Sequence, residues 1–197
     1  IISASFREKA NNVYITGQPR NDFLFKPISL TDIGIKSIKN KKIVMFAPTF
    51  RMNNEDIRYS DGAEIIDNNF LRVNDFCMEE IDYYLEQSNL HLILKLHPYE
   101  EEYFRGIATL SSNITIISSD ELTQKNIDLN QLLSLVDILI TDYSSIYLDY
   151  LILNKPLIFL VPDVDAYSSA RGGFTLEPFD FWTPGDKVSC QRSLLNS

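Results

Sequence analysis

Six short apolar runs recur along this chain, and they constrain its fold more than any other feature. The runs span residues 13–16, 43–47, 91–96, 114–117, 138–141 and 157–161. Most are nearly continuous rather than alternating in polarity. Continuous runs of this length are typical of strands that are covered on both faces of a parallel sheet.

Segments with helical periodicity lie between several of these runs, at residues 74–87, 128–136 and 144–153. In the first, Cys77, Ile81 and Leu85 recur at helical spacing. The third follows Ser144, a residue type that often caps helices. The alternation of strands and helices predicts an α/β fold with a doubly wound parallel sheet, and 197 residues fit one domain.

Two stretches interrupt the alternation. Residues 51–62 are polar and too long for an ordinary connection, so we expect a functional or mobile loop there. The tail after Val161 contains aromatic residues, Gly and Pro but little periodicity. The chain begins with Ile1 rather than Met, which suggests a fragment of a longer protein.

The composition excludes several classes of function. The net charge is -9, with 27 acidic and 18 basic residues, which argues against a nonspecific nucleic-acid binder. The two cysteines, Cys77 and Cys190, lie too far apart for a zinc motif or a disulfide scaffold. No apolar run approaches the ~20 residues of a membrane helix, so we expect an intracellular, cytoplasmic protein. No acidic cluster demands a metal, and we expect no cofactor.

Polar residues follow the predicted strands, and in an open parallel sheet these positions converge on the edge where ligands bind. They include Arg20, Pro48, Thr49, Arg51, Lys95, Leu96, His97, Asp142, Ser144 and Ser145. Guanidinium groups, an ammonium group, hydroxyls and a helix N-terminus all bind phosphate oxygens. The sequence therefore predicts a site for a phosphate or diphosphate at this edge.

Each of these residues also has a purely structural interpretation. His97 could bond a neighbouring carbonyl at a strand end, Arg20 could pair with Asp22, and residues 141–145 could form a capping turn. The glutamates at positions 100–102 are interpreted as a solvated helix start, and His91 as structural. The chain has no GxGxxG, P-loop or GxSxG motif after a strand, so these classical nucleotide and hydrolase sites find no support.

Five motifs in succession resemble the CDP-glycerol glycerophosphotransferase family of teichoic acid and capsule biosynthesis. They are GQPRND (17–22), APTFR (47–51), KLHP (95–98), TDYSS (141–145) with Asp149 and Tyr150, and RGGF (171–174). The resemblance covers nearly the whole chain. It implies a GT-B fold of two Rossmann-like domains, of which residues 1–197 are the single C-terminal, nucleotide-donor-binding domain. The N-terminal acceptor domain is then absent from this chain.

The resemblance also implies roles for individual residues. Donor contacts are expected from Arg20, Pro48, Thr49, Lys95, Leu96, His97, Ser144, Ser145 and Asp149. His97 matches a histidine important for activity, near the diphosphate, and Asp149 could bond a ribose or glycerol hydroxyl. Arg51, Asp142 and Arg171 are further candidates. The family's second essential histidine, in a Trp-His-Gly-type motif of the other domain, has no match here, so this piece should bind donor without turnover.

The implied reaction transfers glycerol phosphate from CDP-glycerol to the hydroxyl of a polyol-phosphate or lipid-linked acceptor and releases CMP. Two alternatives stay open. A related GT-B transferase could use CDP-ribitol or a nucleotide sugar, and a non-catalytic nucleotide-binding module could keep the fold. A lipid-linked product implies peripheral association with the inner face of the cell membrane, through parts that this chain lacks.

Overall fold

The computed structural model describes residues 6–35, 38, 40–51 and 68–197, and these form one six-stranded sheet. The strands are Lys42–Ala47 (β1), Leu90–Leu94 (β2), Ile114–Ile116 (β3), Ile138–Thr141 (β4), Leu157–Leu160 (β5) and Asp186–Val188 (β6). Their order is β3-β2-β1-β4-β5-β6, and every neighbouring pair is parallel. This is the strand order of a Rossmann-type sheet, so the predicted fold class is confirmed.

Helices connect the strands. The α-helices of the described residues are Met78–Gln87 (α1), Pro98–Glu101 (α2), Ser119–Gln124 (α3), Leu129–Leu135 (α4), Ile146–Tyr150 (α5), Val164–Arg171 (α6), Phe179–Trp182 (α7) and Gln191–Leu195 (α8). Short 3-10 helices span Ala10–Asn12, Pro19–Phe25, Arg105–Thr109 and Leu151–Leu153. The three predicted helices are confirmed, with α5 and the 3-10 turn after it in place of one continuous helix.

Both faces of the sheet are buried, which explains the continuous apolar runs. Ile43 and Met45 of β1 point to the face that is packed against Leu132 of α4. Val44 points to the opposite face, where it belongs to the same cluster as Ile81 of α1. Because successive side chains of a strand point in opposite directions, burial on both faces requires an apolar residue at almost every position.

Two predictions about the strands are wrong. Residues 13–16 form no strand: they lie between two 3-10 helices, with Tyr14 78% and Ile15 103% exposed. Both neighbours of β1 are other strands, β2 and β4, so this run has no place beside it. The sixth strand is β6, which the sequence analysis missed because only Val188 of its three residues is buried. Residues 52–62 of the predicted polar loop lie outside the described residues.

Gly185, just before β6, lies very close to β5, and we expect its replacement to be costly. A Cβ atom at this position would overlap the carbonyl oxygen of Leu157, which belongs to the strand backbone and cannot move alone. Gly185→Ala should therefore lower the free energy of unfolding by ~1–3 kcal/mol, measured by urea denaturation. Gly106→Ala is the control, because a Cβ there meets nothing within 4 Å. Equal effects of both substitutions would contradict this packing argument.

Cys77 and Cys190 are both free thiols. Among the residues that the structure describes, no helix combines the length and apolar character that crossing a membrane requires.

Candidate functional site

A cleft of about 540 Å³ lies at the edge of the sheet where the strands end. Its walls include eight of the nine residues for which donor contacts are expected: Arg20, Pro48, Lys95, Leu96, His97, Ser144, Ser145 and Asp149. They come from the segments after β1, β2 and β4, together with the 3-10 helix 19–25 and α5. Residues far apart in sequence thus meet in one cleft, as the rule for parallel sheets predicts.

Arg20 reaches the cleft although the strand predicted before it does not exist. It lies in the 3-10 helix Pro19–Phe25, and Asn130 of α4 holds this segment by donating to the Arg20 carbonyl oxygen over 3.0 Å. The Nε atom of Arg20 donates to Asp149 Oδ2 at 2.9 Å, and not to Asp22 as the structural interpretation had it. The Arg20 side chain is 50% exposed, and Arg20 is one of the residues that line the cleft.

Asp149 pairs with Arg20 instead of standing free in the cleft. Its side chain is only 7% exposed and lies on α5, one turn after Ser145. A carboxylate on the Nε side of a guanidinium group leaves the Nη1 and Nη2 fork for a second anion. The structure therefore favours Asp149 as the residue that orients Arg20.

Lys95 lines the cleft, but its ammonium group is already engaged. Nζ donates to the carbonyl oxygen of Leu96 at 2.8 Å, to Glu101 Oε1 at 2.9 Å and to Ser119 Oγ at 2.9 Å. An ammonium group has three donors, so all of them are used. In this geometry Lys95 joins the end of β2 to the start of α3, and it can bind a phosphate only by exchanging one of these partners.

His97 is the N-cap of the short helix α2, where Pro98 occupies the first helical position. Its Nδ1 atom accepts a hydrogen bond of 3.4 Å from the backbone N–H of Tyr99. This bond assigns the proton of the neutral ring to Nε2, which is then a donor. The ring contacts Phe50, with the two centroids 4.5 Å apart. Burial lowers the pKa of His97, and Lys95 lowers it further, against the opposing charge of Glu100.

The two serines begin α5 at the end of β4. Ser145 is the N-cap by position, and its side chain makes no capping hydrogen bond. The serine that the sequence predicts as a cap is Ser144, and its Oγ accepts from the backbone N–H of Ile146, the first residue of α5, at 3.5 Å. The backbone N–H of Ser144 donates to Asp142 Oδ1 at 3.2 Å. The hydroxyl of Ser145 therefore lies at the cleft wall without a capping role.

Thr49, Arg51 and Asp142 lie beneath the cleft instead of in its walls. Asp142 Oδ1 accepts from the Thr49 backbone N–H at 2.7 Å and from the Thr49 hydroxyl at 2.8 Å. Arg51 is only 2% exposed and donates from Nη2 to Asp142 Oδ2 at 3.3 Å and to Asp163 Oδ1 at 3.2 Å. Burial raises the pKa of Asp142, and Arg51 and Thr49 oppose that shift. Thr49, Arg51 and Asp142 therefore hold together the segments after β1 and β4, which line the cleft.

Arg171, the last of the sequence candidates, lies at the end of α6. Its guanidinium carbon is 5.0 Å from the centroid of the Phe50 ring, whose neighbour in turn is His97. Arg171 does not line the cleft, and it contacts the site through Phe50.

No sequence pattern indicates a role for Glu100, Glu101, Arg72 or Ser119 at the site. The interpretation of 100–102 as a solvated helix start is wrong for Glu100, which is fully buried, and for Glu101, whose side chain is 14% exposed. Only Glu102 is exposed. A Glu-Glu-Glu run contains no local signal that distinguishes its members, because their partners come from distant segments.

A larger cavity of about 730 Å³ lies on the sheet face between α1 and α8. Apolar side chains such as Phe46, Leu92 and Ile140 form most of its lining. It holds few polar groups that could orient a charged ligand, so it is a poorer candidate for a phosphate than the cleft at the strand ends. In the described part of the chain, His, Cys, Asp and Glu side chains form no group that could hold a metal ion.

Comparison with known proteins agrees with the expected resemblance. Residues 1–197 match the family model described as CDP-glycerol:poly(glycerophosphate) glycerophosphotransferase. This chain belongs to that family. It is 31% identical over 199 residues to the teichoic acid ribitol-phosphate polymerase TarK of Staphylococcus aureus (strain NCTC 8325 / PS 47), covering 98% of this chain and 35% of TarK. It is 32% identical over 199 residues to the teichoic acid glycerol-phosphate primase of Bacillus subtilis (strain 168), covering 100% of this chain and 45% of the primase.

The fold is also found in a solved structure. The wall teichoic acid polymerase TagF, in a variant soaked with CDPG, matches with a TM-score of 0.69 at 21% identity, over 99% of this chain and 42% of that chain. This likeness shows a shared fold. The chain spans between about a third and a half of the length of TarK, the primase and TagF.

Proposed function

We propose that this chain supplies the donor site of an enzyme that transfers glycerol phosphate from CDP-glycerol to an acceptor hydroxyl and releases CMP. The observation that supports this most strongly is the cleft at the strand ends, which gathers Arg20, His97, Ser144 and Ser145 around one space. The family membership and the glycerol-phosphate primase among its relatives agree with it.

In this proposal the cleft binds the diphosphate of the donor. The acceptor oxygen forms a bond to the β-phosphorus, and the bond from that phosphorus to the bridging oxygen breaks, so that CMP leaves with the electron pair. The acceptor proton goes to a base that lies outside this chain. The protein then has little covalent chemistry to do, and catalysis depends on positioning the groups and neutralising charge.

Each cleft residue has a part in this reaction. The Arg20 fork, oriented by Asp149, binds phosphate oxygens, and the Nε2–H of neutral His97 donates to the oxygen on which charge develops. The hydroxyls of Ser144 and Ser145 and the start of α5 add further donors. Pro48 and Leu96 shape the walls. Thr49 joins the ends of β1 and β4, and Lys95 joins the end of β2 to the start of α3.

A second candidate donor is CDP-ribitol, because TarK is a ribitol-phosphate polymerase. The cleft residues recognise a diphosphate equally well with either polyol attached. We further propose that an N-terminal domain of the full-length enzyme binds the acceptor and completes a GT-B fold. Any association with the inner face of the membrane is then supplied by that part.

The test is an assay of CMP release by a full-length enzyme that contains this domain. CDP-glycerol, CDP-ribitol and UDP-glucose are offered with a polyol-phosphate acceptor. Release of CMP from CDP-glycerol with transfer of glycerol phosphate supports the proposal, and release from CDP-ribitol alone assigns the second candidate. Turnover of UDP-glucose with neither CDP compound active would overturn it.

A further inference from the structure

We propose that Glu100 is a positioning residue for His97, acting through a buried polar network beneath the cleft. We define this network by its residues: Thr49, Arg51, Arg72, Glu100 and Asp142. The inference rests on the proposed function, because that function gives His97 its place beside the diphosphate. Its evidence is the set of contacts made by the Glu100 carboxylate.

Glu100 is fully buried, and both of its carboxylate oxygens are bonded. Oε1 accepts from the backbone N–H of Arg51 at 2.8 Å, and Oε2 accepts from Arg72 Nη2 at 2.6 Å. A carboxylate without access to water is costly unless it is paired and hydrogen-bonded. The position of Glu100 is therefore tied to the segment that follows β1 and to Arg72.

The remaining contacts join Arg72 to Thr49, and both Thr49 and Arg51 to Asp142, so the network forms a closed ring of hydrogen bonds. Arg72 Nη1 donates to the carbonyl oxygen of Thr49 at 2.7 Å. Thr49 donates from its backbone N–H to Asp142 Oδ1 at 2.7 Å, and Arg51 Nη2 donates to Asp142 Oδ2 at 3.3 Å. The segments that follow β1, β2 and β4 are thereby joined beneath the cleft that all three line.

The backbones of Glu100 and His97 are joined directly by a hydrogen bond. The backbone N–H of Glu100 donates to the carbonyl oxygen of His97 at 2.8 Å, within the first turn of α2. Helix α2 has only four residues and cannot be stable by itself, so its place depends on side-chain anchors. Phe50, which contacts the His97 ring, directly precedes Arg51. Displacement of Glu100 would thus move His97 in two ways: through the hydrogen bond to its backbone carbonyl, and through Phe50, which contacts its ring.

The charged groups that face His97 give this role a measurable signature. Lys95, Glu100 and Glu101 act on the ring electrostatically, and Phe50 and Tyr99 contact it. The negative charge of Glu100 favours the protonated imidazole and raises the pKa of His97. Removing that charge should lower the pKa of His97 by electrostatics alone. Displacement of the ring is therefore detected from the resonances of the neutral form, whose tautomer is set by the bond from the Tyr99 backbone N–H.

The experiment uses the chain labelled with ¹⁵N and follows the histidine ring nitrogens by NMR as the pH is changed. The chain has two histidines, His91 and His97, and His91 at the opposite end of β2 is an internal reference. Glu100→Gln should shift the ring resonances of His97 and lower its pKa, with His91 unchanged. Glu102→Gln is the matched control, because Glu102 is on the same helix turn but 74% exposed, and it should resemble the wild type.

A parallel titration with CDP-glycerol measures the consequence for binding. Glu100→Gln should weaken binding about tenfold or more, the effect of losing one hydrogen bond to a charged phosphate oxygen. Resonances of the neutral His97 ring that match the wild type, together with wild-type affinity, in Glu100→Gln would overturn the inference. If Glu100→Gln does not fold, Arg72→Gln takes its place, because a shorter neutral amide lacks the guanidinium fork that joins Thr49 to Glu100. Unchanged His97 resonances and affinity in that variant overturn the inference equally.

The same data separate this inference from the proposed function. If the wild-type chain binds no donor, the proposed function is in question, while the His97 resonances still decide whether Glu100 positions the ring. If the donor binds and Glu100→Gln leaves both the His97 ring resonances and the donor affinity unchanged, only the positioning role fails.

Discussion

Replacing His97 by alanine is expected to lower the rate of CMP release by a factor of ~10² or more in a full-length enzyme that contains this domain. The neutral ring donates from Nε2, since Nδ1 accepts from the backbone N–H of Tyr99. Such a donor stabilises the charge that develops on the diphosphate, and alanine has no replacement for it. The effect should appear in kcat as well as in kcat/KM, because the interaction strengthens in the transition state.

The control for this substitution is the other histidine. His91 bonds Thr115 at 2.9 Å and lies at the opposite end of the same strand, so His91→Asn should leave the rate within about threefold of the wild type. A loss of less than about threefold in His97→Ala, with the fold intact by circular dichroism, would contradict the role given to His97.

Replacing Arg51 by methionine is expected to lower the free energy of unfolding by ~3–5 kcal/mol. The guanidinium group is buried, pairs with Asp142 and Asp163, and lies 4.9 Å from the centroid of the Tyr143 ring. Methionine keeps much of the volume but leaves Asp142 as a buried charge that has lost its cation. The measurement is urea denaturation at pH 7, followed by tryptophan fluorescence and circular dichroism.

An exposed ion pair provides the comparison for Arg51. Arg105 pairs with Glu102 at 2.6 Å, but the two side chains are 78% and 74% exposed. Arg105→Met should therefore change the stability by no more than ~1 kcal/mol. If the two substitutions have the same small effect, the buried network does not hold the strand ends together as described.

The sequence was sufficient to predict which residues meet at the cleft, and the reason is geometric. The carboxyl ends of parallel strands converge on one edge, so the residues after β1, β2 and β4 meet whatever the exact strand bounds are. The prediction holds even for Arg20, although residues 13–16 before it form no strand. Hydrogen bonds from Asn130 and to Asp149 hold Arg20 at the same edge.

The sequence was not sufficient to predict which of these residues are free to bind a ligand. Lys95 has the pattern of a phosphate ligand, but Glu101 and Ser119 take two of its donors. Glu100 and Glu102 are the same residue type in one run, and only their distant neighbours decide that one is buried and the other exposed. Such long-range pairs give no local periodicity or motif, so they become visible only in the folded chain.

The central claim is that the cleft at the strand ends binds a CDP-activated donor, and a calorimetric titration tests it most directly. The chain is titrated with CDP-glycerol, CDP-ribitol, CMP and UDP-glucose, and the series is repeated with His97→Ala. The account predicts that the CDP compounds bind in preference to UDP-glucose and that the substitution weakens their binding. Binding of UDP-glucose as tightly as CDP-glycerol, or donor binding that is unchanged in His97→Ala, would contradict it.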